Sequence, residues 1–296
     1  MATIAFIGLG NMGNPIAANL VKAGHRVIGF DLIDKNREIA KSNGIEISHS
    51  GAEALGHATI IITMLATGTQ VLNIYSELAP MALQGSLFID CSTIDVIASR
   101  SAHSIADDYG HFSVDAPVNG NVALAKSGNL TSMVGGTPDS IAKAKPILAH
   151  IASAIIDCGA GGNGQSAKIC NNMILGISMI GVAEAFVLAS HLGLSPEALY
   201  EVASASSGQC WSLANHCPVP GPVPTSPAND EFKAVFPAHL MLKDLKLAQE
   251  TALQTGAITP MAAQAAQIYA MLNRAGHAAK DFSSVIKMIE KSSNPT

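Results

Sequence analysis

Short apolar runs alternate with helically spaced segments through the first half of the chain. Residues 3–7, Thr-Ile-Ala-Phe-Ile, read as a strand, and residues 8–13 as a glycine-rich turn. From 14 to 23, Ile16, Leu20 and Val21 fall on one side of a helix that Gly24 would end. Further strands are predicted at 26–30, 58–65, 86–91 and 112–116, and two more at 130–134 and 154–157. The run Ile60-Ile61-Ile62 suits a strand covered on both faces. Strands alternating with helices predict a parallel, doubly wound sheet.

After about residue 162 the strand signals stop. Residues 165–194, 196–204, 237–256 and 261–275 all have helical patterning. Residues 218–227 hold five prolines and predict an extended, ordered surface loop between helices. The expected architecture is therefore an α/β Rossmann-like doubly wound domain (1–162) followed by an all-α domain (163–296), joined by a long central helix. The apolar window 173–194 is interrupted by Glu184 and His191, which argues against a membrane span and for a helix buried all round.

Composition narrows the function classes. Hydrophobic residues make up 48% of the 296 and charged residues 13%, about half the usual share, which excludes disorder and coiled coil and points to surface buried between subunits. The net charge is −5 and no Lys/Arg run occurs, so the footprint of a nucleic-acid binder is absent. Five cysteines without a Cys-x-x-Cys pair predict reduced thiols in a cytoplasm and no zinc ribbon. The N-terminus reads as a first strand and not as a leader.

Three segments carry chemistry. Gly8-Leu-Gly10-Asn11-Met12-Gly13 stands between a strand and a helix, as a dinucleotide-binding turn requires. Its glycines allow the tight turn, the approach of a pyrophosphate and close helix–strand packing. Asp31, 18 residues after Gly13, would accept hydrogen bonds from the adenosine ribose and repel a 2′-phosphate. Leu32 and Ile33 follow it, so no arginine is expected beside it, and NAD is expected over NADP. Next, Gly159-x-x-Gly162-x-Gly164-x-x-x-Lys168-x-x-x-Asn172 opens a nearly uncharged helix with Lys168 and Asn172 on one face. A lysine there is a snorkelling residue, is paired with a carboxylate, or is kept for proton transfer. Finally, residues 115–128 follow the fifth predicted strand, at the sheet end where doubly wound folds bind ligands.

Together these segments resemble the β-hydroxyacid dehydrogenase family. The Gly159–Asn172 spacing matches the family's catalytic motif in full. Asp115 to Gly128 matches its substrate motif, Asp-x-Pro-Val-Ser-Gly-Gly-x-x-x-Ala-x-x-Gly, except that Asn119 and Asn121 replace serine and glycine. Phe236 and Lys243-Asp-Leu-x-Leu-Ala248 resemble its closing motif, and the stretch from Ser207 to Asn229 resembles the branch acting on 3-hydroxyisobutyrate. The resemblance implies NAD-linked oxidation of that acid to its semialdehyde, in valine degradation, with Lys168 as general acid/base and Asn172 orienting the substrate. It implies that Gly8, Gly10, Asn11, Met12, Gly13, Asp31, Met64, Leu65, Thr93 and Lys243 contact the cofactor. Asn119, Gly120, Asn121, Trp211 and Phe236 would face the substrate, with core packing as the other role open to the two aromatics. A homodimer or homotetramer is expected, with no metal. If Asn121 occupies a glycine's positive-φ position, substrate choice would shift. A sibling semialdehyde reductase and a non-catalytic NAD-binding protein therefore remain alternatives.

Overall fold

A computed structural model describes residues 1–293 of the 296-residue chain. The chain divides into two compact units, Met1–Lys168 and Ile169–Thr296.

In the first unit, strands β1 (Thr3–Ile7), β2 (Arg26–Phe30), β3 (Glu46–Ile47), β4 (Ile60–Thr63), β5 (Leu87–Asp90) and β6 (Phe112–Asp115) pair in parallel in the order β3-β2-β1-β4-β5-β6. The strand order reverses between β1 and β4, the topological switch point where such sheets bind dinucleotides. Intervening helices are α1 (Gly13–Lys22), α2 (Asp34–Ser42), α3 (Gly51–Leu55), α4 (Gly68–Leu78) and α5 (Val96–Asp108). Two apolar clusters form the core, one containing Ile4, Phe6, Ile62 and Ile89, the other Ala5, Ile7, Ile61 and Phe88. Alternate residues of one strand thus feed opposite faces, as the period of two demands. The triple isoleucine of β4 is 8%, 0% and 1% exposed, in keeping with a strand covered on both sides.

The parallel, doubly wound sheet expected from alternation is present from β3 to β6, and antiparallel pairing is added at one edge. Beyond β6, the chain forms β7 (Val118–Asn119), α6 (Val122–Ser127), β8 (Leu130–Gly136), α7 (Pro138–Leu148) and β9 (Ala152–Gly159). Strand β8 runs antiparallel to both β6 and β7, and β9 runs parallel to β8. Periodicity reports that a segment is a strand; the direction of pairing is set by the connection. Here α6 returns the chain without a crossover, and β7, at two residues, is too short for a periodic signal. Strand β3 escapes the sequence pattern for the same reason.

Among its described residues, the regular elements of the second unit are helices, with one isolated β-bridge between Pro237 and Asp281. It takes up the long helix α8 (Asn163–His191) and contains α9 (Pro196–Ser204), α10 (Trp211–His216), α11 (Ala238–Thr255), α12 (Pro260–Leu272) and α13 (Val285–Ser293). Met179, Ala183 and Phe186 of α8 join Met241, Leu245, Tyr269 and Phe282 in its core. Gly176 is a close-approach position, since a Cβ there would lie 2.9 Å from Met241 Sδ. Burial all round is corrected: 39% of the most apolar window of α8 is buried, while Ile174 and Leu188 are 62% and 60% exposed. The proline-rich stretch is ordered by hydrogen bonds, with Asn229 Nδ2 donating to Val223 O at 2.8 Å and Ser226 Oγ to Cys217 O at 2.5 Å.

Candidate functional site

The glycine turn has the geometry of a phosphate cradle. Gly8 has φ +98°, and a Cβ there would lie 2.3 Å from Met64 O; a Cβ on Gly13 would lie 1.9 Å from Gly8 O. These two glycines are therefore required by the fold itself. Gly10 is different: nothing lies within 4 Å of where its Cβ would be. No neighbour in the chain requires glycine there, whereas a closely approaching pyrophosphate does. Helix α1 has Met12 at its N-cap, without a side-chain cap and with no acidic residue in its first turn. Asn14 N is taken by Gly10 O and residue 15 is a proline, so the N–H groups of Met12 and Gly13 are the ones that face an anion. The residues present fit a bound dinucleotide.

Asp31 follows β2, and its carboxylate accepts from Leu9 N (Oδ2, 2.8 Å) and Ile33 N (Oδ1, 2.8 Å). The expectation of no arginine beside it is corrected. Arg37, one turn into α2, donates from Nη1 to the Asp31 carbonyl at 2.5 Å and pairs through Nη2 with Asp34. The fold turns back at Asp34 and brings in a residue six positions away.

The loops after β4 and β5 are latched together. Met64 N donates to Ile7 O at 2.9 Å, and Leu65 N to Ser92 Oγ at 2.8 Å. Thr93 lies in a loop held on both sides by Gln165: its Nε2 donates to Ser92 O (2.7 Å), and its Oε1 accepts from Ile94 N (3.1 Å). Beneath them, Asp90 accepts from Thr63 Oγ1 at 2.7 Å and Ser92 N at 3.1 Å. Burial raises the Asp90 carboxyl above its ordinary range, against the hydrogen bonds from Ser92 and Thr63. Burial likewise pushes up the adjacent Cys91 thiol, which marks it as inert packing.

Asp115 organises the start of α8 and is 1% exposed. Its Oδ1 accepts from Gly162 N at 2.8 Å, and its Oδ2 from Gln165 N at 2.9 Å. His103 Nε2 lies 2.9 Å from Oδ1, and Ser113 Oγ holds the other ring nitrogen at 2.6 Å. The carboxylate thus caps α8 from another strand and complements its dipole. Gly164 is needed for this fit, because a Cβ would come within 2.4 Å of Met133 O and 2.8 Å of Asp115 Oδ2. Gly162 and Gly164 of the Gly159–Asn172 motif therefore serve the seating of this helix.

Lys168 lies five residues beyond the first residue of α8 and is 7% exposed. Its Nζ donates to Asn119 Oδ1 at 2.9 Å. Asn119 closes β7, opposite Thr131 of β8. The positive φ weighed for Asn121 is corrected: its φ is −94°, and it is the N-cap of α6, with Oδ1 accepting from Leu124 N at 2.9 Å. The strained position is Gly120, at φ +137°, where a Cβ would lie 2.6 Å from Leu130 Cδ2. Asparagine at 121 is accommodated as a capping residue.

In the second unit, Asn172 Nδ2 donates to Asp244 Oδ2 at 2.5 Å, and Asn171 Nδ2 donates to Asn172 Oδ1 at 3.1 Å. Lys243 Nζ lies 3.8 Å from Asp244 Oδ1. Asp244, 5% exposed, is a residue to which the sequence assigned no role. Its signal was present: a lone acid on the apolar face of a helix. Trp211 and Phe236 belong to an aromatic stack. Trp211 lies over His216 (5.3 Å), His216 over Phe282 (4.9 Å), and Phe236 meets Phe282 edge-on (5.8 Å). Trp211 keeps 53% of its surface exposed. Asp281 anchors this cluster through His216 Nε2 (2.7 Å) and accepts from Val235 N and Phe236 N, each at 2.9 Å. Burial opposes its charge, but His216, the Phe236 amide and Ser283 prevail and hold the carboxyl below its ordinary value. Among the described residues, no cluster of His, Cys, Asp or Glu could hold a metal ion.

Comparison with known proteins follows the same two-part division. Residues 3–160 match the NAD binding domain of 6-phosphogluconate dehydrogenase, and residues 162–289 match a family described as NAD-binding of NADP-dependent 3-hydroxyisobutyrate dehydrogenase. A probable 3-hydroxyisobutyrate dehydrogenase of Mycobacterium tuberculosis is 48% identical over 97% of each chain. The mitochondrial 3-hydroxyisobutyrate dehydrogenase of Homo sapiens is 42% identical over 97% of this chain and 87% of its own. The solved Mycobacterium tuberculosis 3-hydroxyisobutyrate dehydrogenase with L-serine superposes with a TM-score of 0.95, at 48% identity, over 98% of this chain and 99% of that one.

Proposed function

Because the chain belongs to the 3-hydroxyisobutyrate dehydrogenase family, we propose that it oxidises 3-hydroxyisobutyrate reversibly to methylmalonate semialdehyde, as in valine breakdown. The chain is an NAD-dependent oxidoreductase. NAD supplies the chemistry of hydride acceptance. The observation that carries the reading is Lys168, buried beside the loop after β6 with its Nζ 2.9 Å from Asn119 Oδ1.

In this reading Lys168 takes the proton of the substrate hydroxyl as hydride leaves the same carbon, and returns it in reverse. Such proton transfer contributes about 10²–10⁴-fold in rate. Asn172, oriented by Asp244, aligns the substrate. Gly8, Gly10, Asn11, Met12 and Gly13 hold the pyrophosphate. Asp31 takes the ribose hydroxyls, Met64 and Leu65 line the ribose side, Thr93 adjoins the nicotinamide, and Lys243 contacts the cofactor. Asn119, Gly120 and Asn121 bind the substrate carboxylate, with Trp211 and Phe236 as cavity walls.

A sibling activity on another short β-hydroxy acid is favoured by one observation: Asn119 and Asn121 stand in the substrate loop. L-serine, named together with the solved Mycobacterium tuberculosis relative, is itself a β-hydroxy acid. A homodimer or homotetramer is supported by exposed Ile174, Leu188, Leu192 and Val202. A cytoplasmic location is supported by five cysteines that are all free thiols.

The test mixes protein, NAD and 3-hydroxyisobutyrate and follows NADH absorbance, with Lys168→Ala and NADP as controls. Rapid turnover that disappears in Lys168→Ala supports the reading. Preference for another acid in a substrate panel replaces the named substrate by a sibling's. Bound NAD without turnover of any β-hydroxy acid, and of any semialdehyde when NADH is supplied, overturns the enzymatic reading. Light scattering on a sizing column checks the oligomer.

A further inference from the structure

We propose that Asp34 is a second determinant of selectivity for NAD over NADP, and that it acts by holding Arg37 away from the place of a 2′-phosphate. The proposal rests on the cofactor reading of the glycine turn and Asp31, and not on which acid is oxidised.

The fold puts a cation where NADP has use for one. Arg37 Nη1 donates to the Asp31 carbonyl at 2.5 Å. The carboxylate of that same residue is the group assigned to the adenosine ribose. The guanidinium is therefore one side-chain swing from a phosphate carried on that ribose. An arginine fork is the side chain best suited to a phosphate. By position alone, Arg37 would favour NADP and work against the repulsion from Asp31.

Its second contact prevents this. Nη2 pairs with Asp34 Oδ1, three residues earlier on the same face of α2. Two nitrogens held by two acceptors fix the plane and direction of the fork. The Arg37 side chain is 28% exposed and that of Asp34 83%, so the arginine lies against the chain and the carboxylate stands outside it. The Asp31 carboxylate is meanwhile held by Leu9 N and Ile33 N, and the ion pair of Arg37 is made with Asp34.

Asp34 thereby does two things with one contact. It occupies the cation that a 2′-phosphate would recruit, and it keeps that cation from neutralising Asp31. Released, Arg37 turns either to the phosphate or to the Asp31 carboxylate. The first adds attraction for NADP and the second subtracts repulsion, so both narrow the preference in the same direction. NAD carries a bare ribose and is indifferent to either. Because the pair is exposed, its effect on selectivity is modest and is screened by salt. Asp34 also complements the N-terminus of α2 as the acid of its first turn. That contribution is to stability and leaves the ratio of the two cofactors unchanged, which separates it from the role proposed here.

The test is a binding measurement on the full chain, so it does not depend on turnover. NADH and NADPH are titrated by nicotinamide fluorescence into the unaltered protein, Asp34→Ala, Arg37→Ala and Asp34→Ala/Arg37→Ala, with a thermal melt of each. In Asp34→Ala the NADPH affinity relative to NADH should rise about two- to fivefold, the worth of an exposed ion pair, and the rise should shrink with added salt. Arg37→Ala should show no such rise. The double variant should lose it, because the gain runs through the arginine. A gain that survives in the double variant would show plain relief of charge repulsion and overturn the proposal. An unmoved ratio in Asp34→Ala would overturn it as well, whatever the melting temperature. Failure of the unaltered protein to bind NADH would instead overturn the cofactor reading itself, so the two failures are distinguishable.

Discussion

Asp115→Asn keeps the side-chain shape and removes its charge, which isolates the electrostatic seat of α8. In the native protein one carboxylate oxygen serves Gly162 N and His103, and the other serves Gln165 N. Asparagine has a single acceptor oxygen and two donors. Whichever way it turns, its NH2 group faces a backbone N–H and orphans it. A buried donor left unsatisfied costs about 1–3 kcal/mol. Losing the negative charge at a partly buried helix N-terminus adds up to about 2 kcal/mol. The expected loss is therefore about 2–4 kcal/mol, taking the two effects as partly overlapping. At about 2–4 °C per kcal/mol, the transition of the first unit should fall by about 5–15 °C. Lys168 sits on the second turn of the loosened helix, so kcat should drop about 10–100-fold, the scale of an ångström-level misplacement. NAD affinity should change little, because Asp115 touches neither the glycine turn nor Asp31. Differential scanning calorimetry, steady-state kinetics and NAD titration measure the three quantities. A melting temperature within about 2 °C of the native value, with kcat intact, would refute the assignment of Asp115 as the cap of α8.

Other expectations follow from single contacts. Gly10→Ala should leave the melting temperature unchanged, since its Cβ meets nothing within 4 Å, yet weaken NAD at least tenfold in a fluorescence titration; a loss of stability would show that the fold itself requires this glycine. Asp31→Ser should raise kcat/KM with NADP and lower it with NAD, because the repelling carboxylate goes while Arg37 stays beside it; no gain with NADP would mean Arg37 does not reach the 2′-phosphate. The Asp281 carboxyl is held below its ordinary value, so its stabilising contribution is complete above the unfolded carboxylate value of about 3.9 and is lost as pH falls through the lower folded value. Thermal melts of the second unit between about pH 2 and 5 should show that acid loss, and Asp281→Asn, already destabilised at neutral pH, should show a flatter slope.

Much of the fold was legible because its causes are local. A glycine that must adopt φ +98°, as Gly8 does, and the period-two and 3.6-residue patterns of β1, β2 and α8 are written in neighbouring residues. So are the start of α9 at Pro196, behind its Ser195 cap, and the switch from alternating strands to helices near residue 162. What depended on residues far apart in the chain was invisible. Strand direction at β8 is set by how α6 returns the chain, and two-residue strands carry no period. Arg37 reaches Asp31 only because α2 folds back, and Asn121 escapes a glycine's conformation only because a helix begins after it. The contacts of Lys168 with Asn119, of Asp115 with the first turn of α8 and of Asn172 with Asp244 span 49, 47 and 72 residues of sequence. The sequence by itself determined which chemical groups the chain possesses and which local conformations they favour. Only the tertiary structure decided which donor meets which acceptor, because that pairing is a matter of distance and burial, and neither is encoded by spacing along the chain.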